Sequence, residues 1–118
     1  MNKYGFIRTA AAVPSVRVAD TAYNTDQICR LIANATENQV SITVFPELCI
    51  TGSTCGDLFR QTTLIKGAEE GVRKLADFCS GKNTAAVVGA PVSYGGRLYN
   101  CSIVISKGEI LGIVPKVN

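Results

Sequence analysis

Thr84-Ala85-Ala86-Val87-Val88-Gly89-Ala90, followed by Pro91, is a run of small and β-branched apolar residues led by one threonine. Consecutive apolar positions in an extended chain bury both of its faces. Such strands belong to parallel sheets sandwiched between other layers. The run therefore predicts a central strand, ended by Pro91, in an α/β fold.

Toward the amino terminus the pattern alternates between helix and strand. Leu64, Ala68, Val72, Leu75 and Cys79 recur at helical spacing over residues 62–79. Glu69, Glu70, Arg73 and Lys74 take the opposite face, and Gly81 suits the position after a helix end. Ser41-Ile42-Thr43-Val44-Phe45 is β-branched and aromatic and reads as a strand stopped by Pro46. Ile28, Leu31, Ile32 and Ala35 form a second helical stripe within residues 22–38, with Asp26, Arg30, Asn34 and Glu37 facing water. Its cap is Asn24, with Gln27 completing a capping box, or else Asp20 or Thr21. Residues 5–13 predict the first strand, closed by Pro14.

Toward the carboxyl terminus, Gly95-Gly96 separates Val92-Ser93-Tyr94 from Arg97-Leu98-Tyr99, a two-residue hairpin signal. Tyr99, Cys101, Ile103 and Ile105 alternate with Asn100, Ser102 and Val104. A turn at Ser106-Lys107-Gly108-Glu109 then leads into Ile110–Val114, stopped by Pro115. The predicted order is β-α-β-α-β followed by a β-meander, with both helices on one face and right-handed crossovers. No linker divides residues 1–118, so one unit is expected. It ends directly behind a strand, as a portion of a larger domain does.

Composition narrows the chemistry. The chain has 118 residues, 47% of them hydrophobic, with 12 Lys and Arg against 9 Asp and Glu. The basic residues are scattered, which argues against nucleic acid as a partner. There is no histidine. Neither a Ser-His-Asp or Cys-His triad nor a His-containing zinc site can be assembled, and no metal site is expected. Any proton transfer falls to carboxylates, Lys, Tyr or Cys. The five cysteines, Cys29, Cys49, Cys55, Cys79 and Cys101, are odd in number and lack C-x-x-C spacing. They read as buried free thiols of a reducing cytoplasm. The first nine residues hold no apolar signal-peptide core, and no apolar run is long enough to span a membrane. No glycine-rich phosphate-binding motif follows a strand, which disfavours a nucleotide-binding domain.

Two local patterns repeat. Val44-Phe45-Pro46-Glu47 and Ile113-Val114-Pro115-Lys116 each run strand, proline, ionisable residue. Sites in α/β sheets gather at the carboxyl ends of strands, and a proline there ends the ladder and stiffens the exit. Glu47 and Lys116 are thus a candidate charge pair on neighbouring strand ends. On spacing alone two solvated loop charges remain the commoner outcome. Asp57 reads as a cap, Asn100 as a partner for buried backbone groups, Tyr94 and Tyr99 as cross-strand packing. Gly89 and Gly112 mark close packing or a bulge.

Phe45-Pro46-Glu47-Leu48-Cys49-Ile50-Thr51-Gly52 with Thr54-Cys55-Gly56-Asp57-Leu58-Phe59 resembles the first catalytic motif of the nitrilase superfamily of carbon-nitrogen hydrolases. Tyr99-Asn100-Cys101 through Lys107–Lys116 is similar to the approach to its second motif. The likeness is greatest to the glutamine-hydrolysing domains that serve NAD synthesis. It implies part of an α-β-β-α sandwich and a Glu-Lys-Cys triad. Glu47 maps to the general base and Lys116 to the triad lysine. Ser53 stands where the family usually has a tyrosine and is the substrate-binding candidate. The nucleophilic cysteine lies on a later strand, beyond Asn118, so these residues alone are expected to be inactive. Past Lys116 the family usually continues into Leu-Pro-Asn, where this chain has Val117-Asn118. Glutamine is the implied substrate. ATP and Mg belong to a synthetase domain absent here, with no cofactor in this segment. The remainder of the enzyme and further copies of the chain are the implied partners. Another nitrilase-type amidase, or a non-catalytic segment that acts only by assembly, are the alternatives. In the sandwich a second sheet packs on the face away from the helices. Val44, Val88, Ile103, Ile105, Ile110 and Ile113 are the residues expected to line that face.

Overall fold

The computed structural model describes residues 7–52 and 62–116. β1 (Thr9–Ala11), α1 (Thr21–Glu37), β2 (Ile42–Val44), α2 (Thr62–Phe78), β3 (Ala85–Tyr94), β4 (Arg97–Ser106) and β5 (Glu109–Pro115) follow one another along the chain. The five strands form one sheet in the order β1-β2-β3-β4-β5. The first three are parallel, and β4 and β5 return antiparallel. This is the α/β order expected from the sequence.

α1 starts one residue before the expected span, and Asp20 supplies its cap, with a side-chain oxygen accepting from the Tyr23 N–H at 3.0 Å. Asn24 is not the cap; it lies within the helix and is buried. Ile28, Ile32 and Ala35 of α1 and Leu64, Ala68, Val72 and Leu75 of α2 are buried, as their spacing predicts. Most of them join Ala86, Val88, Ile103 and Ile105 of the sheet in one core. Full burial of an Ile or Leu side chain is worth about 1.5–3 kcal/mol, so this core is what holds both helices to one face of the sheet.

Two strand boundaries differ from expectation. β1 is three residues long, not the nine of 5–13, and residues 1–6 lie outside the described part. Among the described residues it is an edge strand paired with β2 alone, itself three residues long. Pro91 does not end β3; it sits inside the strand opposite Asn100. β2 has already stopped opposite Val87, so beyond Gly89, among the described residues, β3 pairs with β4 alone. A residue without an N–H is tolerated at such a position. The Gly95-Gly96 turn is as expected, both glycines having positive φ (58° and 78°) that closes a twisted hairpin.

The faces of the sheet also need correcting. Val44 pairs with Val87, so it lies on the opposite face from Val88. Ile113 stands across from the buried Ile103 and Ile110 across from the buried Ile105, which puts both on the helix side. They border a groove beside α2 with Ile65, Val72 and Val92. Of the six residues expected on the far face, only Val44 is there. Ile42, Val87, Val104 and Val114 are its companions. A register shift between Val104 and Ile105 accounts for the change of parity along β5, since one extra residue turns every following side chain over.

Candidate active site

β2 ends at Val44, and the chain enters a tight turn at Pro46 that carries Glu47. β2 and β5 are separated by β3 and β4, so Glu47 and Lys116 do not leave neighbouring strands. The turn closes that gap by crossing β3 at Gly89. The Ile50 N–H donates to the Gly89 carbonyl at 3.3 Å, and the Cys49 sulfur accepts from the Gly89 N–H at 3.5 Å. A Cβ on Gly89 would run into the Leu48 N and come within 3.0 Å of the Glu47 carbonyl carbon and Pro46 oxygen. Only glycine admits the turn at this distance.

Leu48 holds a left-handed φ of 52°, a conformation that costs a branched residue of order 1–3 kcal/mol and persists only where the surroundings enforce it. Here the Leu48 carbonyl accepts from Thr51 and Gly52, and its side chain is buried. Asn24 completes the support. Its amide donates to the Ile50 carbonyl at 2.8 Å and to the Arg17 carbonyl at 2.7 Å, while its oxygen accepts from the Arg17 N–H at 2.7 Å. One buried side chain thus ties α1, the segment before it and the Glu47 turn together.

Lys116 follows Pro115 at the end of β5, and its N–H donates to the Asn100 carbonyl of β4 at 2.8 Å. From there its ammonium reaches Glu47 Oε1 at 2.7 Å. The Asn100 side-chain amide donates to the same oxygen at 2.5 Å. Asn100 therefore serves a carboxylate, not the buried backbone expected of it. The Lys116 hydrogen bond, then the Asn100 amide, then the lysine charge hold the Glu47 carboxyl below its ordinary range. The pair is half-exposed and contributes little to stability by itself. Its information lies in where the chain has placed it.

Residues 8–118 match the family model for carbon-nitrogen hydrolases. The chain belongs to the carbon-nitrogen hydrolase family. It is 31% identical over 112 residues to the glutamine-dependent NAD(+) synthetase of Mycobacterium leprae, an alignment that takes in 95% of this chain and 16% of that protein. The crystal structure of a glutamine-dependent NAD(+) synthetase from Cytophaga hutchinsonii superposes with a TM-score of 0.85 at 31% identity, over 91% of this chain and 18% of that one. An amidase from Nesterenkonia sp. shares the fold, with a TM-score of 0.81 at 21% identity over 95% of this chain and 43% of that one. The chain thus spans about a sixth of the length of the synthetases it resembles.

Within this carbon-nitrogen hydrolase segment, Ser53, Cys55 and Asp57 lie outside the described residues. The other four cysteines are buried. Burial pushes the thiols of Cys29, Cys79 and Cys101 up, and that of Cys49 up to about 11. A thiol so shifted is protonated near neutral pH and is a poor nucleophile. Cys49, two residues from Glu47, turns its sulfur onto Gly89 and acts as part of the turn's support. Among the described residues no three His, Cys, Asp or Glu side chains come together as a metal site. None of the described helices is long and apolar enough to cross a membrane. Sequence reasoning singled out Glu47 and Lys116, which the fold brings into contact, and read Gly89 as a place of close packing, but missed the parts played by Asn24 and Asn100. Gly89 carried a signal, a glycine inside an apolar strand; for Asn24 the signal pointed to a cap.

Proposed function

We propose that this chain supplies the base and the lysine of a glutamine-hydrolysing site, in the amino-terminal part of a glutaminase domain that feeds ammonia to NAD synthesis. The observation that carries the reading is the 2.7 Å contact between Glu47 and Lys116, side chains from two strands that are not neighbours, in a carbon-nitrogen hydrolase chain. Glu47 is ionised and can accept a proton; the lowered pKa that its partners impose keeps it so at neutral pH.

In the proposed cycle Glu47 takes the proton of a cysteine thiol supplied from outside residues 1–118. The sulfur attacks the side-chain amide carbon of glutamine, and the Lys116 ammonium steadies the oxygen as it becomes negative. The C–N bond breaks, Glu47 returns the proton to the departing nitrogen, and ammonia leaves a thioester. Water, deprotonated by Glu47, then cleaves the thioester to glutamate and restores the thiol. Ser53 remains the substrate-binding candidate that the family resemblance supplies. Amidation of deamido-NAD at the expense of ATP, with Mg, belongs to a synthetase domain outside this chain. The setting is the cytoplasm.

A second reading, assembly as the segment's own contribution, is favoured by the apolar far face of the sheet, where Ile42, Val44 and Val114 are exposed. That face takes the remainder of the enzyme in the α-β-β-α arrangement, or a second copy of the chain in a homo-oligomer.

The test uses a complete synthetase whose corresponding segment is replaced by residues 1–118. Glu47→Gln is expected to lower glutamine-dependent synthesis by roughly 100-fold or more while leaving synthesis from free ammonia intact. Equal loss of both activities would make Glu47 a structural residue and remove the proposal.

A further inference from the structure

Glu47 presents two carboxylate oxygens, and the structure treats them differently. Oε1 accepts from both the Lys116 ammonium and the Asn100 amide. Among the described residues no hydrogen bond reaches Oε2. An oxygen already carrying two donors, one of them cationic, is the poorer proton acceptor, because a third proton must displace or crowd the other two. Oε2 is the one available as a base.

Asn100 is placed to enforce this asymmetry. It lies within the ten-residue β4, opposite Pro91, and its backbone is held by the β3–β4 ladder. Its carbonyl accepts from the Lys116 N–H, and its side chain donates to Glu47. One residue therefore fixes the lysine's backbone and the glutamate's carboxyl plane together. Lys116 cannot do this alone: an ammonium at the end of a flexible stem holds a charge, not a plane.

We infer that Asn100 is a positioning residue that locks Glu47 through Oε1 and leaves Oε2 as the proton-accepting atom. The inference rests on the glutaminase reading, which it deepens. Removal of the Asn100 donor takes away one of the interactions that hold the Glu47 carboxyl below its ordinary range, and a carboxylate in its place adds repulsion.

The experiment compares Asn100→Ala and the near-isosteric Asn100→Asp in two settings. In the 118-residue chain, the carbon-13 resonance of the Glu47 carboxyl is titrated. In the complete synthetase carrying residues 1–118, the pH profile of glutamine-dependent kcat is measured. The titration midpoint is expected to rise in Asn100→Ala and further in Asn100→Asp, with the acid limb of the profile moving up in the same order. A loss of roughly 10- to 100-fold in kcat, with ammonia-dependent synthesis unchanged, accompanies it. Asn100→Gln, which keeps an amide donor, recovers part of that loss. The inference is overturned if both variants keep the parent midpoint and acid limb, or if Glu47 in the unsubstituted chain titrates at its ordinary value. Activity that survives Glu47→Gln would instead sink the glutaminase reading, whatever Asn100 does.

Discussion

Val44-Phe45-Pro46-Glu47 and Ile113-Val114-Pro115-Lys116 are alike in sequence and unlike in how the fold supports them. The glutamate end is built into the protein. Leu48, Cys49 and Ile50 behind it are buried, the turn rests on Gly89, and Asn24 grips its far side. The lysine end is at the edge of the sheet, with Pro115 and Lys116 exposed and one backbone hydrogen bond to Asn100. A carboxylate backed by buried neighbours meets a cation at an exposed edge. In the proposed cycle that division gives the base a fixed place and leaves the lysine near the charge that develops.

The largest perturbation of this contrast is expected at Gly89. Gly89→Ala sets a Cβ against backbone atoms of Pro46, Glu47 and Leu48, none of which can swing aside as a side chain end can. A stability loss of about 3 kcal/mol is expected in urea unfolding, at the upper end for overpacking, together with the loss of the depressed Glu47 titration. An Ala variant as stable as the parent would mean that the turn is looser than its contacts imply.

Asn24→Ala comes next. It leaves the Ile50 and Arg17 carbonyls and the Arg17 N–H without their side-chain partner. Unpaired buried groups cost about 1–3 kcal/mol. Urea unfolding measures the loss, and hydrogen exchange is expected to accelerate first at Leu48–Gly52 rather than in β5.

The smallest effect on stability is expected at the lysine end. Lys116→Met lowers the urea midpoint only slightly at neutral pH, because the pair is half-exposed, and it lets the Glu47 carboxyl return toward its ordinary acidity. The sign of the pH dependence follows from the depressed folded value. The pair's contribution is complete above the unfolded carboxylate pKa of about 4.3 and fades as the pH falls through the lower folded value. Urea unfolding of the parent and Lys116→Met chains between pH 2 and 7 should show curves that converge at the acid end. A midpoint that drops sharply at neutral pH in Lys116→Met would erase the contrast between the two ends.

Much of this architecture is legible in the residues. Helical spacing in Ile28, Ile32 and Ala35 and in Leu64, Ala68, Val72 and Leu75 marks the buried sides of α1 and α2. Gly95-Gly96 marks a hairpin, and each Pro-ionisable pair marks a strand exit. The assignment of sheet faces is not legible in the same way. Val44 and Val88, or Ile113 and Val114, look equivalent in a sequence where both faces of a strand carry branched apolar residues. Register and a single shift in β4–β5 decide between them. Pro91 reads as a stop because the absence of a partner beside it is a property of β2's length, not of β3's residues.

By itself, then, the sequence determined the order of elements, the helix faces and the absence of histidine chemistry, and its family resemblance singled out Glu47 and Lys116 as a pair. The first three depend on local periodicity and on composition, which act between residues close in the chain; the pair was legible only through the resemblance, since spacing alone left two solvated charges the commoner outcome. Only the tertiary structure decided that a turn crosses β3 at Gly89 to bring Glu47 to Lys116, that Asn24 braces it, and that Asn100 and Lys116 meet on one oxygen of the Glu47 carboxylate. Those contacts join positions 26 to 69 residues apart. Their geometry is set by strand register and by the space a missing side chain leaves, neither of which any short stretch of sequence contains.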